Sequence, residues 1–195
     1  MEGRSCSKAK ENNNKTSAKD NSGKNTLVVN LFGGPGTGKS HMAARLYGNC
    51  DEYEAELVRE YAKDLVWENR TIEFSEQLCV IGKQIKRVNA VYGKVDVIFT
   101  DSPILLGAYY GKNEELSKQL LDIHSRYNNL NIFLRRVKKY NPNGRFQTEE
   151  EADKISCSVR DMLVDYNVAH IVLDATKEAD AQVMRLVQQW FKNNL

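Results

Sequence analysis

The chain has 195 residues, of which 41% are hydrophobic and 28% charged, with a formal net charge of +2. That length suits one domain with appendages and a sizeable buried core. The near-balanced charge gives no electrostatic footprint for nucleic acid or an anionic membrane, and no apolar run approaches the roughly 18 residues of a membrane-spanning helix.

Residues 1–25 are rich in Lys, Asn and Ser, with almost nothing to bury. This composition predicts a disordered tail without the apolar stretch of a signal peptide, ahead of one folded domain over 26–195. The four cysteines, Cys6, Cys50, Cys79 and Cys157, form no C-x-x-C pair. They read as reduced thiols of a cytoplasmic protein rather than as disulfides or a zinc site.

Leu27-Val28-Val29-Asn30-Leu31-Phe32 reads as a buried strand. It runs into Gly33-Gly34-Pro35-Gly36-Thr37-Gly38-Lys39-Ser40, a complete G-x-x-x-x-G-K-[ST] phosphate loop, and a helical pattern follows from His41 to Tyr47. Strand, loop and helix form the setting in which this motif binds a nucleotide. The loop backbone turns its N–H groups into one concavity, Lys39 reaches the β- and γ-phosphates, and the Ser40 hydroxyl ligates Mg²⁺. The helix N-terminus adds its positive dipole end, and His41 joins the nucleotide-binding set there.

A second strand is expected over 53–58 and a helix over 60–69. Arg59, Glu60, Lys63 and Asp64 follow that strand, the last three in the first turns of the helix. Glu60 is placed to orient or deprotonate an attacking hydroxyl, while Arg59 and Lys63 suit an acceptor phosphate. The competing reading is a set of solvated helix-surface pairs. A longer helix is expected over 74–91, with Gln77, Gln84 and Arg87 along it. A Gln there can read the edge of a base, Gln84 more so than Gln77, unless it only belongs to a polar face.

The third strand, over 95–101, ends at Asp101 before Ser102-Pro103. A carboxylate at that point holds Mg²⁺ as a Walker B Asp does, or caps the following helix. A helix over 113–127, a strand over 130–134, a helix over 149–166, a strand over 170–174 and a helix over 179–191 complete the pattern. Between 135 and 146, Arg135-Arg136, Lys138-Lys139, an Asn-Pro-Asn-Gly turn and Arg145 read as a lid whose arginines stabilise transferring phosphate. The alternation predicts an α/β fold, a three-layer α/β/α sandwich on a five-stranded parallel sheet with sites at the carboxyl ends of the strands. Trp67, Tyr109, Tyr110 and Trp190 read as packing residues, and His124 and His170 as ordinary helix and strand positions.

On residues 30–40, 56–66, Gln84 and Thr100-Asp101-Ser102-Pro103, the chain resembles a group of P-loop proteins, often bacteriophage-encoded, known as AAA-family ATPases. These are similar to the ribosylnicotinamide kinase domain of the bacterial bifunctional regulator of NAD synthesis, the NadR-like P-loop kinases. The likeness covers about residues 27–190. It implies a P-loop NTPase with kinase-like strand order 2-3-1-4-5, ATP and Mg²⁺ as cofactors, and a Glu after the second strand as base, which falls on Glu60. The loop centre departs from the pattern: Gly-Pro-Gly-Thr-Gly stands where that kinase domain has a Glu-Ser-Ser-type centre. The acceptor is therefore not carried over.

The residues and the resemblance together lead to an ATP- and Mg²⁺-dependent kinase. Its catalytic set is Lys39, Glu60, Asp101 and Arg145, its metal set Ser40 and Asp101. Residues 33–41 and Arg136 hold the nucleotide, and Arg59, Glu60, Lys63, Asp64 and Gln84 face a nucleoside-like acceptor, in the cytoplasm (the host's for a phage-encoded protein). An ATPase acting on nucleic acid or a protein, including a 5′-polynucleotide kinase, is the main alternative. A GTPase switch lacks its Asn-Lys-x-Asp and Asp-x-x-Gly signatures at the expected places.

Overall fold

The structure, a computed structural model, describes residues 23–142 and 147–194, with residues 73 and 74 described by backbone only. In chain order the elements are β1 (Leu27–Phe32), α1 (Lys39–Gly48), β2 (Ala55–Val58), α2 (Tyr61–Trp67), α3 (Thr71–Ser75), α4 (Gln77–Val91) and β3 (Val97–Thr100). There follow α5 (Leu106–Gly111), α6 (Glu114–Ser125), β4 (Asn128–Arg135), α7 (Glu149–Asp165), β5 (Ile171–Asp174) and α8 (Glu178–Asn194).

The five strands form one parallel sheet, as the alternation predicts, in the order β2-β3-β1-β4-β5 that the resemblance implies. β1 is buried at every position because helices cover both faces of the sheet, the arrangement that makes central parallel strands read as continuous apolar runs. Successive side chains alternate between the two faces. Leu27, Val29, Leu31, Phe99, Ile132 and Leu134 pack under α1 and α8, with Met42, Leu46, Val183 and Val187. Val28, Phe32, Ile98 and Phe133 pack on the other side, with Ile81, Val88, Leu105, Leu120 and Val159. Three layers result.

Asn30 is the polar exception inside β1, 3% exposed. Its amide donates to Oδ1 of Asn129 at 2.9 Å and of Asn131 at 3.1 Å on β4, so a buried polar group finds the partners burial demands.

The register places Asn30, Thr100 and Val58 level across three strands. The residues that follow each strand, the phosphate loop, Asp101 and Arg59-Glu60, therefore leave the sheet at one edge. At the opposite edge, Lys24 Nζ bonds Glu54 at 2.6 Å and Asp96 at 2.9 Å, and its backbone N–H donates to Gly93. Gly23 to Asn25, expected in the tail, carry contacts here; residues 1–22 lie outside the described residues.

Several boundaries differ from expectation. The single helix over 74–91 is two helices, because Glu76 leaves the helical region at ψ 80°. β4 is longer than expected and β2 shorter, Tyr53 stacking on Phe191 with ring centroids 4.5 Å apart instead of joining the strand. The short helix α5 was not expected at all. Among the described residues no helix is long and apolar enough to cross a membrane.

Candidate active site

The phosphate loop is shaped by its glycines. Gly38 caps α1 in the left-handed region, at φ 99°, which an L side chain rarely adopts. Gly34 answers a different need: a Cβ there would meet the Ala152 carbonyl oxygen at 2.6 Å and Ser156 Cβ at 2.8 Å, so α7 lies directly against the loop. Thr37 is buried and its hydroxyl donates to the Gly34 carbonyl at 2.9 Å. Lys39 reaches back over the loop, Nζ donating to the carbonyls of Gly33 at 2.8 Å and Gly34 at 2.9 Å. Pro35 and Gly36 form the half-buried tip, Ser40 is half-buried, and His41 is exposed.

The start of α1 tests whether a nucleotide phosphate fits. No side chain caps it, and its first turn holds no acidic residue. The N-terminal N–H groups of a helix need acceptors, and an anion supplies them where no side chain does. The fit to a phosphate is good. The oxygen groups that would serve a divalent cation leave neighbouring strands. The Ser40 hydroxyl follows β1, and the Asp101 carboxylate, 4% exposed, follows β3. Mg²⁺ favours such sparse sets, completed by water and phosphate oxygens. Among the described residues no three His, Cys, Asp or Glu side chains gather as a separate metal site.

Asp101 does not cap the helix after it. Its Oδ1 accepts the backbone N–H of Glu60 at 2.9 Å, tying β3 to the start of α2. Glu60, the N-cap of α2, is half-buried. Burial is the largest influence on its carboxyl and raises its pKa above the ordinary Glu value; Asp101 and Asp64 push the same way, Lys39 and Lys63 against. Glu60 thus feels both the loop lysine and the strand-end aspartate.

Arg59 and Asp64 pair with each other at 3.3 Å, and Asp64 also takes Arg87 Nη2 at 2.6 Å. Lys63 is exposed. Gln84, expected on the acceptor side, is enclosed. It is 4% exposed, and its amide oxygen accepts the Tyr61 N–H at 3.1 Å, so it faces the backbone of α2 rather than an open groove. Its Nε2 is buried without a partner among the described residues.

Tyr110, read from sequence as packing, feels the Glu60 charge. It is 44% exposed on α5, and its hydroxyl is pushed up to about 12, by burial first and by the Glu60 charge second. Nothing in the sequence signals it, since α5 shows no helical period.

The expected lid is only partly described: Arg145 lies outside the described residues. Arg136 is held on α7, Nη1 donating to Glu149 at 2.6 Å and Nη2 pairing with Asp153, with the guanidinium 5.2 Å from the Tyr140 ring centre. Arg135 pairs with Asp174 at 2.8 Å. Both basic side chains flanking the loop edge are thus engaged by carboxylates, and a nucleotide would have to draw Arg136 from two of them.

A family profile described as an AAA domain matches residues 28–180. Among curated protein sequences none matches. Among solved structures the chain is similar to the crystal structure of NadR protein in complex with NR, at 17% sequence identity and a TM-score of 0.63. The match covers 83% of this chain and 51% of that one. The chain therefore spans about half the length of that structure, and the likeness is one of fold. With its intact phosphate loop on the expected sheet and a profile that runs from β1 into α8, the chain belongs to the AAA-domain family of P-loop nucleotide-binding proteins.

Proposed function

We propose that the chain is an ATP- and Mg²⁺-dependent kinase, its domain over 26–195, that passes the γ-phosphoryl group to a hydroxyl of a nucleoside-like small molecule in the cytoplasm. The observation that carries this reading is Glu60. Its N–H sits on Asp101 at 2.9 Å and its carboxyl feels Lys39, so a candidate base stands where phosphate loop and metal residue meet. A carboxyl raised by burial is a better proton acceptor than an ordinary surface Glu, and a positioned base contributes roughly 10²–10⁴-fold.

Residues 33–41 hold the phosphates through backbone N–H groups, and Lys39 exchanges its two carbonyl contacts for phosphate oxygens. Ser40 and Asp101 hold Mg²⁺, which when bound neutralises charge on the phosphates. Asp101 has one oxygen on Glu60, and among the described residues the other is left for this task. Glu60 orients the acceptor hydroxyl and takes its proton. Arg59, Lys63, Asp64 and Tyr110 border the acceptor side, and Arg136 and Arg145 serve the nucleotide side. Positioning and electrostatics supply most of the rate in such a transfer. The similar NadR structure holds NR, which supports including that ligand among the acceptors tried.

The test is incubation with ATP, Mg²⁺ and a panel of nucleosides, nucleoside monophosphates and nicotinamide riboside, read by mass spectrometry. A phosphorylated acceptor made by the wild type and not by Lys39→Ala supports the kinase. ATP hydrolysis with no product from any acceptor replaces it with an ATPase, and stimulation by DNA or RNA that fades with salt then names the substrate class.

A further inference from the structure

The segment that carries Glu60 cannot hold itself in place. α2 has only 7 residues, and its N-cap, Glu60, makes no side-chain capping bond. Helices this short are marginal alone, and the N–H groups at their start need outside acceptors. Here two such groups are taken by side chains distant in sequence: Glu60 N–H by Asp101 Oδ1 at 2.9 Å, and Tyr61 N–H by Gln84 Oε1 at 3.1 Å.

Arg87, one helical turn beyond Gln84, grips the same segment from both sides of Glu60. Its Nη1 donates to the Arg59 carbonyl at 3.1 Å and its Nη2 to the Asp64 carboxylate at 2.6 Å, and the guanidinium lies 5.0 Å from the Tyr61 ring centre. The geometry of a planar guanidinium, with several donors in one fork, suits this double hold and a ring contact together. None of these bonds uses the Glu60 carboxylate.

The Gln84 amide adds a second sign. A backbone N–H can only donate, so the amide oxygen must face Tyr61, and Nε2 is left buried without an acceptor among the described residues. The amide is oriented by the helix start at the expense of its own donor.

We propose that Gln84 and Arg87 form a positioning clamp: α4 fixes the backbone on either side of Glu60 and so sets the reach of that carboxylate toward the acceptor hydroxyl. The clamp makes Gln84 a positioning residue and not a reader of the base. It rests on the reading of Glu60 as the acceptor-side base.

The experiment measures phosphoryl transfer and ATP binding for Gln84→Met, Arg87→Met, Arg87→Lys and Glu60→Gln, with the acceptor that the panel selects. A misplacement of about 1 Å costs on the order of 10²-fold in rate, so kcat falls tenfold or more in both methionine variants while KM for ATP stays within twofold. Arg87→Lys, which keeps the charge and a single donor nitrogen, recovers part of the loss. An inactive Glu60→Gln beside methionine variants with wild-type kcat overturns the clamp alone; an active Glu60→Gln overturns the reading beneath it. If a methionine variant does not fold, amide exchange in the wild type decides. The Tyr61 amide, first residue of its helix, then exchanges as slowly as the β3 amides; exchange as fast as an uncapped helix start overturns the clamp.

Discussion

The two halves of the candidate site are built by different means. On the nucleotide side, geometry comes mainly from contiguous chain, α7 against Gly34 apart: glycine dihedrals, one threonine hydroxyl, and a lysine folded over carbonyls five and six residues before it. On the acceptor side it comes from tertiary contacts. Glu60 is tied to Asp101 across 41 residues and Tyr61 to Gln84 across 23. A local device keeps its shape in any sequence that preserves the motif. A tertiary one changes with each helix that packs on it, which makes the acceptor side the place where relatives with the same loop can differ in substrate.

The comparison breaks most visibly at Lys39. Lys39→Ala removes the charge that meets the transferring phosphate and lowers transfer by about 10³-fold or more, with the far-ultraviolet circular dichroism unchanged. A loss below tenfold in single-turnover assays with labelled ATP means that the loop is not the donor site. Glu60→Gln comes next, about 10²-fold or more in kcat, with nucleotide affinity by fluorescent-analogue titration unchanged.

The same Glu60 substitution has a stability signature of the opposite sign. The folded state raises the Glu60 pKa, so it binds that proton more tightly than the unfolded chain does. The relative gain from protonation is fully present below the ordinary Glu range, about 4.3, and is lost as pH rises through the raised value. Glu60→Gln therefore unfolds at higher temperature than the wild type at pH 7 to 8 in metal-free buffer, and the gap closes below about pH 4. An unchanged melting temperature at pH 8 contradicts the burial argument.

A third effect sharpens the acceptor-side layer. His124 on α6 is 7% exposed, and burial pulls its pKa down to about 4 from 6.5. Its contribution to stability is complete above pH 6.5 and falls as pH drops toward 4, by at most about 3 kcal/mol. His124→Gln flattens this part of the pH dependence in urea unfolding; equal slopes between pH 6.5 and 4.5 refute it. The smallest effect belongs to Arg135, whose pair with Asp174 is about half exposed on both sides. Arg135→Ala shifts unfolding by less than about 1 kcal/mol, the range of exposed ion pairs.

The sequence made the donor half legible because each of its jobs is assigned to a fixed position in a short motif. β1, β3 and the strand order followed from apolar runs between helical patterns and from the resemblance. Asp101 was visible at the end of a strand, but its bond to the Glu60 N–H was not, since a backbone partner leaves no mark in sequence. The bond of Gln84 to the Tyr61 N–H was hidden for the same reason. α5 was hidden because Leu105, Leu106 and Ala108 are all buried, which erases the polar-apolar period, and with α5 went Tyr110. The break at Glu76 carries no Gly or Pro to announce it.

As proposed, the chain holds a two-substrate site in which ATP turnover serves transfer. The most direct measurement is the ratio of phosphorylated acceptor to ADP formed at saturating ATP and Mg²⁺, with and without the acceptor the panel identifies. A kinase forms one phosphorylated acceptor for each ADP, and without the acceptor its ADP formation falls to a small residue. ADP formed at the same rate with or without any acceptor, and no phosphorylated product, would contradict it.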